Sequence, residues 1–288
     1  MNIRLENIVE VSGSSFFGGH SVLSFEPLRW RSTPDWYWDT GEGLVPISPA
    51  VLTVKNRRLA LQSGSHSLDI VEHILPMRFA GLSSICIKNR DAVSSGKKFS
   101  GATPYFGRVY ELWQILRSKG VRSSIPAKWH TVKTSVFCSY AELGIRREGF
   151  TEIWPSNSTG LELLVDVDYP GIGKHQETFV FYGEKHLEIM EEIMRAKTQG
   201  WPPSLELLSR CAGFFGWPHH DRICWPNGRS SETIRSFALH RAQDILGALG
   251  SLCFGGRMFC GMVHSYRSGH LADFHAVKRA AENLRNLA

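Results

Sequence analysis

The stretch Phe237 to Gly250, F-A-L-H-R-A-Q-D-I-L-G-A-L-G, constrains this chain more than any other. Its apolar positions Phe237, Leu239, Ile245, Leu246 and Leu249 follow helical spacing, and His240 and Asp244 stand four residues apart among them. At 3.6 residues per turn, positions i and i+4 share a face, so the imidazole and the carboxylate converge on one point. Read alone, the pair is a hydrogen-bonded couple as readily as two metal ligands. A catalytic zinc site needs three protein ligands and leaves a fourth position for water, so the third must come from elsewhere in the chain.

A second stretch supplies a candidate. Ser67 to Leu82, S-L-D-I-V-E-H-I-L-P-M-R-F-A-G-L, predicts a helix beginning near Ser67 with the serine as cap, and it sets Glu72 beside His73. A glutamate next to a ligand histidine is placed to act as a general base without occupying the metal. His219-His220-Asp221 offers three adjacent donors as a competing site. Adjacent residues point in different directions, however, and a polar loop usually solvates such groups.

With 288 residues the chain has room for two domains at a prior of about 150 residues each. The polar run Ser118 to Lys128, holding Gly120 and Pro126, divides it into a unit 1–127 carrying Glu72 and His73 and a unit 128–288 carrying Thr178, His240, Asp244 and His270. Strands are expected around Ile3–Val11, Val22–Phe25, Ile85–Ile87, Ser135–Tyr140, Arg146–Pro155, Leu161–Val167 and Thr178–Phe181, and a hairpin-like region at Val51–Gln62. Helices are expected at Tyr110–Lys119 and Lys185–Thr198. Trp30 to Trp38, W-R-S-T-P-D-W-Y-W, reads either as a stacking surface or as a surface insertion folded against the core.

A net charge of +6 favours an anionic partner, a nucleotide-sugar diphosphate as well as a nucleic acid. The lysines and arginines are scattered and no nucleic-acid-binding motif accompanies them, which argues against nucleic acid. Six cysteines without a C-x-x-C pair point to reduced thiols and a cytoplasmic setting. The N-terminus alternates like a strand, and no run approaches the ~18 apolar residues of a spanning helix, so stable membrane insertion is not expected.

Seven short segments then fall in a recognisable order. They are I-R-L-E-N-I-V-E-V with G-G-H-S at Gly18 to Ser21, V-E-H at Val71 to His73, S-G-A-T-P at Ser100 to Pro104, and V-D-V-D-Y-P-G-I-G at Val165 to Gly173. E-T-F-V-F at Glu177 to Phe181, the H-x3-D helix and Y-R-S-G-H at Tyr266 to His270 complete the series. In this order and spacing the chain resembles the zinc-dependent UDP-3-O-acyl-N-acetylglucosamine deacetylases, which perform the committed deacetylation of lipid A synthesis in Gram-negative bacteria.

The resemblance implies an α+β fold: two related β-α-α-β domains forming a sandwich, helices inside and sheets outside. It implies a Zn²⁺ cofactor held by His73, His240 and Asp244, with Glu72 as general base. His270 would be a second catalytic group acting as acid or electrostatic stabiliser, and Thr178 would help hold the developing oxyanion. His20, Phe179 and Arg241 would contact a small N-acylated amine or nucleotide-sugar substrate. The departures are specific: Arg241 stands where the family commonly has lysine, Ala248 where it has an aspartate, and Ser100-Gly101-Ala102 where it has Asp-Gly-Ser. A Gly-Gly-Ser-hydrophobic-Asp-Asn stretch has only a poor counterpart in Gly200 to Leu205. The resemblance therefore leaves open a deacetylase recruited to a different N-acetylated metabolite, or a catalytically inactive metal-binding homologue.

Overall fold

The computed structural model describes residues 2–14, 20–28, 35–55, 57–90, 100–102, 109–123, 128–169, 173–182, 186–196, 198–199, 223–224 and 231–287. It is a mixed α+β structure with several sheets. Four α-helices are described: α1 (Val109–Ser118), α2 (His186–Met194), α3 (Ser231–Gly250) and α4 (His270–Glu282).

The same strand order occurs twice. In the first half of the chain the large sheet runs Val9–Ser14, His20–Pro27, Ile85–Asn89, Trp36–Asp39, Leu44–Pro46. In the second half it runs Val136–Ser139, Phe150–Trp154, Gly261–Tyr266, Leu161–Tyr169, Gly173–Phe181. Each is two antiparallel hairpins with the last strand in sequence slotted between them, antiparallel to one neighbour and parallel to the other. A three-stranded sheet accompanies each. Asn2–Leu5 lies between antiparallel Gly120–Ser123 and parallel Leu82–Ser83, and Lys128–Val132 lies between antiparallel Leu284–Asn286 and parallel Arg257–Phe259. The first half adds a four-stranded sheet, Ser100–Ala102, His66–Asp69, Arg58–Ser63, Leu52–Lys55.

Helix α3 is the seam. From Phe237 to Gly250 every residue is buried, as expected of a helix packed on all sides. It touches α2, α4, the strands Leu161–Tyr169 and Gly173–Phe181, and two 3₁₀ turns of the first half, Val71–His73 and Leu75–Arg78. Gly247 and Gly250 make the last contact possible. A Cβ on Gly247 would lie 2.6 Å from Glu72 Cα, and one on Gly250 would lie 2.7 Å from the Leu75 carbonyl oxygen. One hydrophobic cluster runs through both halves, joining Phe25, Trp36 and Ile87 to Leu163, Val165, Ala242 and Leu246.

Three expectations are corrected. Ser67 does not start a helix: His66–Asp69 is a strand, with Lys55 Nζ held between Ser67 Oγ at 3.0 Å and Asp69 Oδ2 at 3.2 Å. Ile70 then takes a left-handed conformation (φ 65°), and two 3₁₀ turns follow instead of an α-helix. Pro76 cannot donate an i→i−4 bond, and a segment buried on every side shows no distinctive period. Trp36 and Trp38 are not on a surface insertion; they lie buried in a strand of the large sheet, Trp36 Nε1 donating to the Leu82 carbonyl at 2.8 Å. Residues 30–34 of that aromatic stretch lie outside the described residues. Ile3–Val11 is not one strand: Asn2–Leu5 and Val9–Ser14 belong to different sheets, while the other expected strands and helices overlap observed ones.

Candidate functional site

Three chain segments bring acidic and imidazole groups together at the α3 seam. The first is the 3₁₀ turn with Glu72 and His73, the second is α3 with His240 and Asp244, and the third is the start of α4, where His270 is the first helical residue after Gly269. His240, Asp244 and Gly247 fall at i, i+4 and i+7, one face of α3, so the glycine that admits Glu72 lies on the same face as the imidazole and the carboxylate. Both flanking loops carry a non-glycine residue at positive φ, Ile70 before Glu72 and Arg267 before His270. For a β-branched residue such as Ile70 that conformation is a true outlier, and strain of this kind gathers at functional sites.

His270 Nε2 is the meeting point. It lies 3.8 Å from Glu72 Oε1 and 3.8 Å from Asp244 Oδ1, while Asp244 Oδ1 is also 3.6 Å from His240 Nε2. The Leu59 amide donates to Glu72 Oε2 at 3.1 Å and fixes the carboxyl. Glu72 is fully buried, and its Oε1, like Asp244 Oδ1, accepts no hydrogen bond from the described residues. Two buried oxygens without a donor, each 3.8 Å from one imidazole nitrogen, favour a positively charged partner.

The electrostatics follow from burial. Desolvation pushes the Glu72 carboxyl up to about 8, with Arg58 opposing and Asp244 adding to the rise. Burial, with Arg58 and Arg241, holds His240 down to about 3. Burial likewise holds His270 down to about 3 although Asp244 pulls the other way, and burial with His240 and Arg58 puts His73 well below its usual range. Near neutral pH all three imidazoles are therefore uncharged, which is the form that binds a metal. Neutral imidazoles and carboxylates are the donor types that a divalent cation such as Zn²⁺ takes. Among the described residues no group of three or more His, Cys, Asp and Glu side chains closes into a metal-binding geometry.

No model of a known protein family matches this chain. No curated protein matches it either.

Not every expected residue reaches this place. Thr178 is exposed: its strand alternates, with Glu177, Phe179 and Phe181 on the inner side and Thr178 opposite Leu164 on the outer. Phe179 is buried in the common core. Arg241 is only 3% exposed, and its guanidinium is committed to Asp273, Ser268 and Ser265. Of these three only Arg241 borders the cluster, its Nη1 3.5 Å from Asp244 Oδ2. His20 lies in the strand His20–Pro27, and its side chain is outside the described residues, as are His219-His220-Asp221 and Gly200 to Leu205.

Arg58 is a site residue that the sequence did not single out. It opens the strand Arg58–Ser63 directly before Leu59, whose amide holds Glu72, and it is half-buried. Its charge bears on Glu72, His73, His240 and His270 together. Its position depends on the register of a hairpin, Lys55 opposite Arg58, which no local motif announces.

Proposed function

We propose that this protein is a metal-dependent amidohydrolase that removes an N-acyl group, acetyl in the leading case, from an amino-sugar or nucleotide-sugar substrate. The observation that carries the reading is the approach of Glu72 Oε1 and Asp244 Oδ1 to His270 Nε2, each at 3.8 Å, both oxygens buried and without a hydrogen bond among the described residues. The ordered resemblance to the UDP-3-O-acyl-N-acetylglucosamine deacetylases adds the ligand assignment, His73, His240 and Asp244. Two related halves facing each other across their helices would put the cleft at α3, and the repeated strand order supports that arrangement.

A bound Zn²⁺ would supply Lewis-acid polarisation of the amide carbonyl and a more acidic water. In the field of such a cation Glu72, which burial alone holds protonated, would ionise and be placed to take the water's proton at Oε1, its other oxygen being held by the Leu59 amide. Glu72 would return that proton to the departing amine, beside the uncharged imidazole of His270, whose Nε2 lies 3.8 Å from Oε1. Arg58 offers positive charge to the oxyanion or to an anionic group of the substrate.

A second reading, a relative acting on a different N-acetylated metabolite, is favoured by one observation. Thr178, the family's oxyanion partner, faces solvent here, so the surroundings of the reacting carbonyl differ from the family's.

Metal analysis of the purified protein beside a triple variant at His73, His240 and Asp244 tests the site, with about one zinc per wild-type chain expected and none in the variant. Glu72→Gln should keep the metal and lower turnover of the hydrolysed N-acyl amine by roughly 10²–10⁴. Equal rates in Glu72→Gln and wild type would remove the assigned base. Turnover of a non-acylated N-acetyl sugar but not the acylated nucleotide sugar would select the second reading.

A further inference from the structure

A buried ionic network joins the two segments of the second half that meet at the site. Arg241, beside His240 and one turn before Asp244, donates from Nη2 to Ser268 Oγ at 2.7 Å and to Asp273 Oδ2, and from Nε to Ser265 Oγ at 3.3 Å. Its Nη1 lies 3.5 Å from Asp244 Oδ2. Asp273, one turn into α4 from His270, also accepts from Thr151 Oγ1 at 2.6 Å and from Ser268 Oγ at 3.1 Å, while Ser265 and Ser268 share a hydrogen bond of 2.7 Å. Arg241 and Asp273 are 3% and 1% exposed.

Desolvating two such charges is costly, and apolar residues of the same volume would often serve stability as well. What the ions add is direction. Asp244 Oδ2 faces Arg241, so Oδ1 is the oxygen turned toward His240 and His270. Ser268, held by both charges, precedes Gly269 and His270, so the same network fixes the turn from which His270 departs. With alanine at 248, the carboxylate of α3 within 3.8 Å of His270 is Asp244, the one that Arg241 orients.

We propose that Arg241 and Asp273 are a positioning pair, which makes Asp244 present a single oxygen to the site and sets His270 in register with Glu72. The proposal rests on the reading of Asp244 and His270 as site groups. Arg241 thereby acts through Asp244 and the Ser265–Ser268 turn rather than on substrate.

The test uses Asp273→Asn, which keeps acceptors for Thr151 and Ser268 while losing the charge, with Arg241→Lys and Arg241→Gln. Each variant is checked for a wild-type thermal transition, then titrated with zinc against a chromogenic chelator and with cobalt(II) for its visible spectrum. Ring-nitrogen NMR signals of His240 and His270 are recorded without metal. Zinc binding weakened about 10–100-fold, an altered cobalt spectrum and displaced His270 signals are expected in Asp273→Asn, with Arg241→Lys restoring part of what Arg241→Gln loses. Folded variants with wild-type affinity, cobalt spectrum and ring signals would overturn the pair's role. A wild-type protein that binds neither metal would overturn the site reading instead, and the ring signals would still decide whether the pair positions His270.

Discussion

At the scale of single residues, the site depends on which side chains are denied water. Glu72 and His73 were readable as an adjacent acid and imidazole, and His240 and Asp244 as one helical face, because those relations are local. Thr178 shows where local reading ends. In E-T-F-V-F the period of two sends Phe179 and Phe181 inward and Thr178 outward, so the threonine and the phenylalanine beside it cannot both line one site. Arg58 illustrates the converse, a charge delivered by hairpin register rather than by neighbouring sequence. If Arg58 stabilises negative charge on the reacting carbonyl or the substrate, Arg58→Met should lower kcat/KM on the order of 10²-fold, the cost of losing a donor aimed at developing charge. Steady-state kinetics on the hydrolysed substrate measures this, and an unchanged kcat/KM would leave Arg58 a bystander.

At the scale of elements, α3 was legible as a helix because its apolar spacing is strong, while the segment after Ser67 was not, because its apolar run is buried all round and Pro76 interrupts it. The contact between the two depends on glycines of α3. Gly247→Ala puts a methyl 2.6 Å from Glu72 Cα, where backbone and not a flexible side chain must yield. Overpacking of this kind costs about 1–3 kcal/mol, against up to about 1 kcal/mol gained from helix propensity. The variant should therefore melt below wild type and lose activity more than stability, since Glu72 is what moves; calorimetry and kinetics together check it. The strand Lys128–Val132 carries a second testable element. His130 is buried, its Nε2 against the Leu252 carbonyl, and burial holds it down to about 4. Its folded value lies below the unfolded 6.5, so the unfolded chain binds the extra proton between them. The contribution is fully present above pH 6.5 and is lost as pH falls through 4, up to about 3 kcal/mol. His130→Gln should flatten the acid side of the stability profile measured by denaturant titration between pH 7 and 4.

At the scale of the whole molecule, the repeated strand order is the feature the sequence only hinted at. A likeness between His73 through Ile87 and His240 through Val263 is faint in the letters because the first copy uses two 3₁₀ turns where the second uses a long helix. The parallel pairings that reveal the repeat join strands far apart in sequence, Trp36–Asp39 with Ile85–Asn89 and Leu161–Tyr169 with Gly261–Tyr266. The shared cluster and α3's contacts with both halves predict that the two unfold together, as one transition in calorimetry, and that residues 128–288 expressed alone are poorly soluble. Two separate transitions would show that the seam is weaker than its burial implies.

In both copies the strand that fills the middle of the large sheet is the last of that sheet to be made. During synthesis each half must hold two hairpins apart, with a vacant lane between their edges, until Ile85–Asn89 or Gly261–Tyr266 emerges. A nascent chain halted near residue 256 would carry that lane open, a template for any extended peptide, and would be the form that chaperones meet.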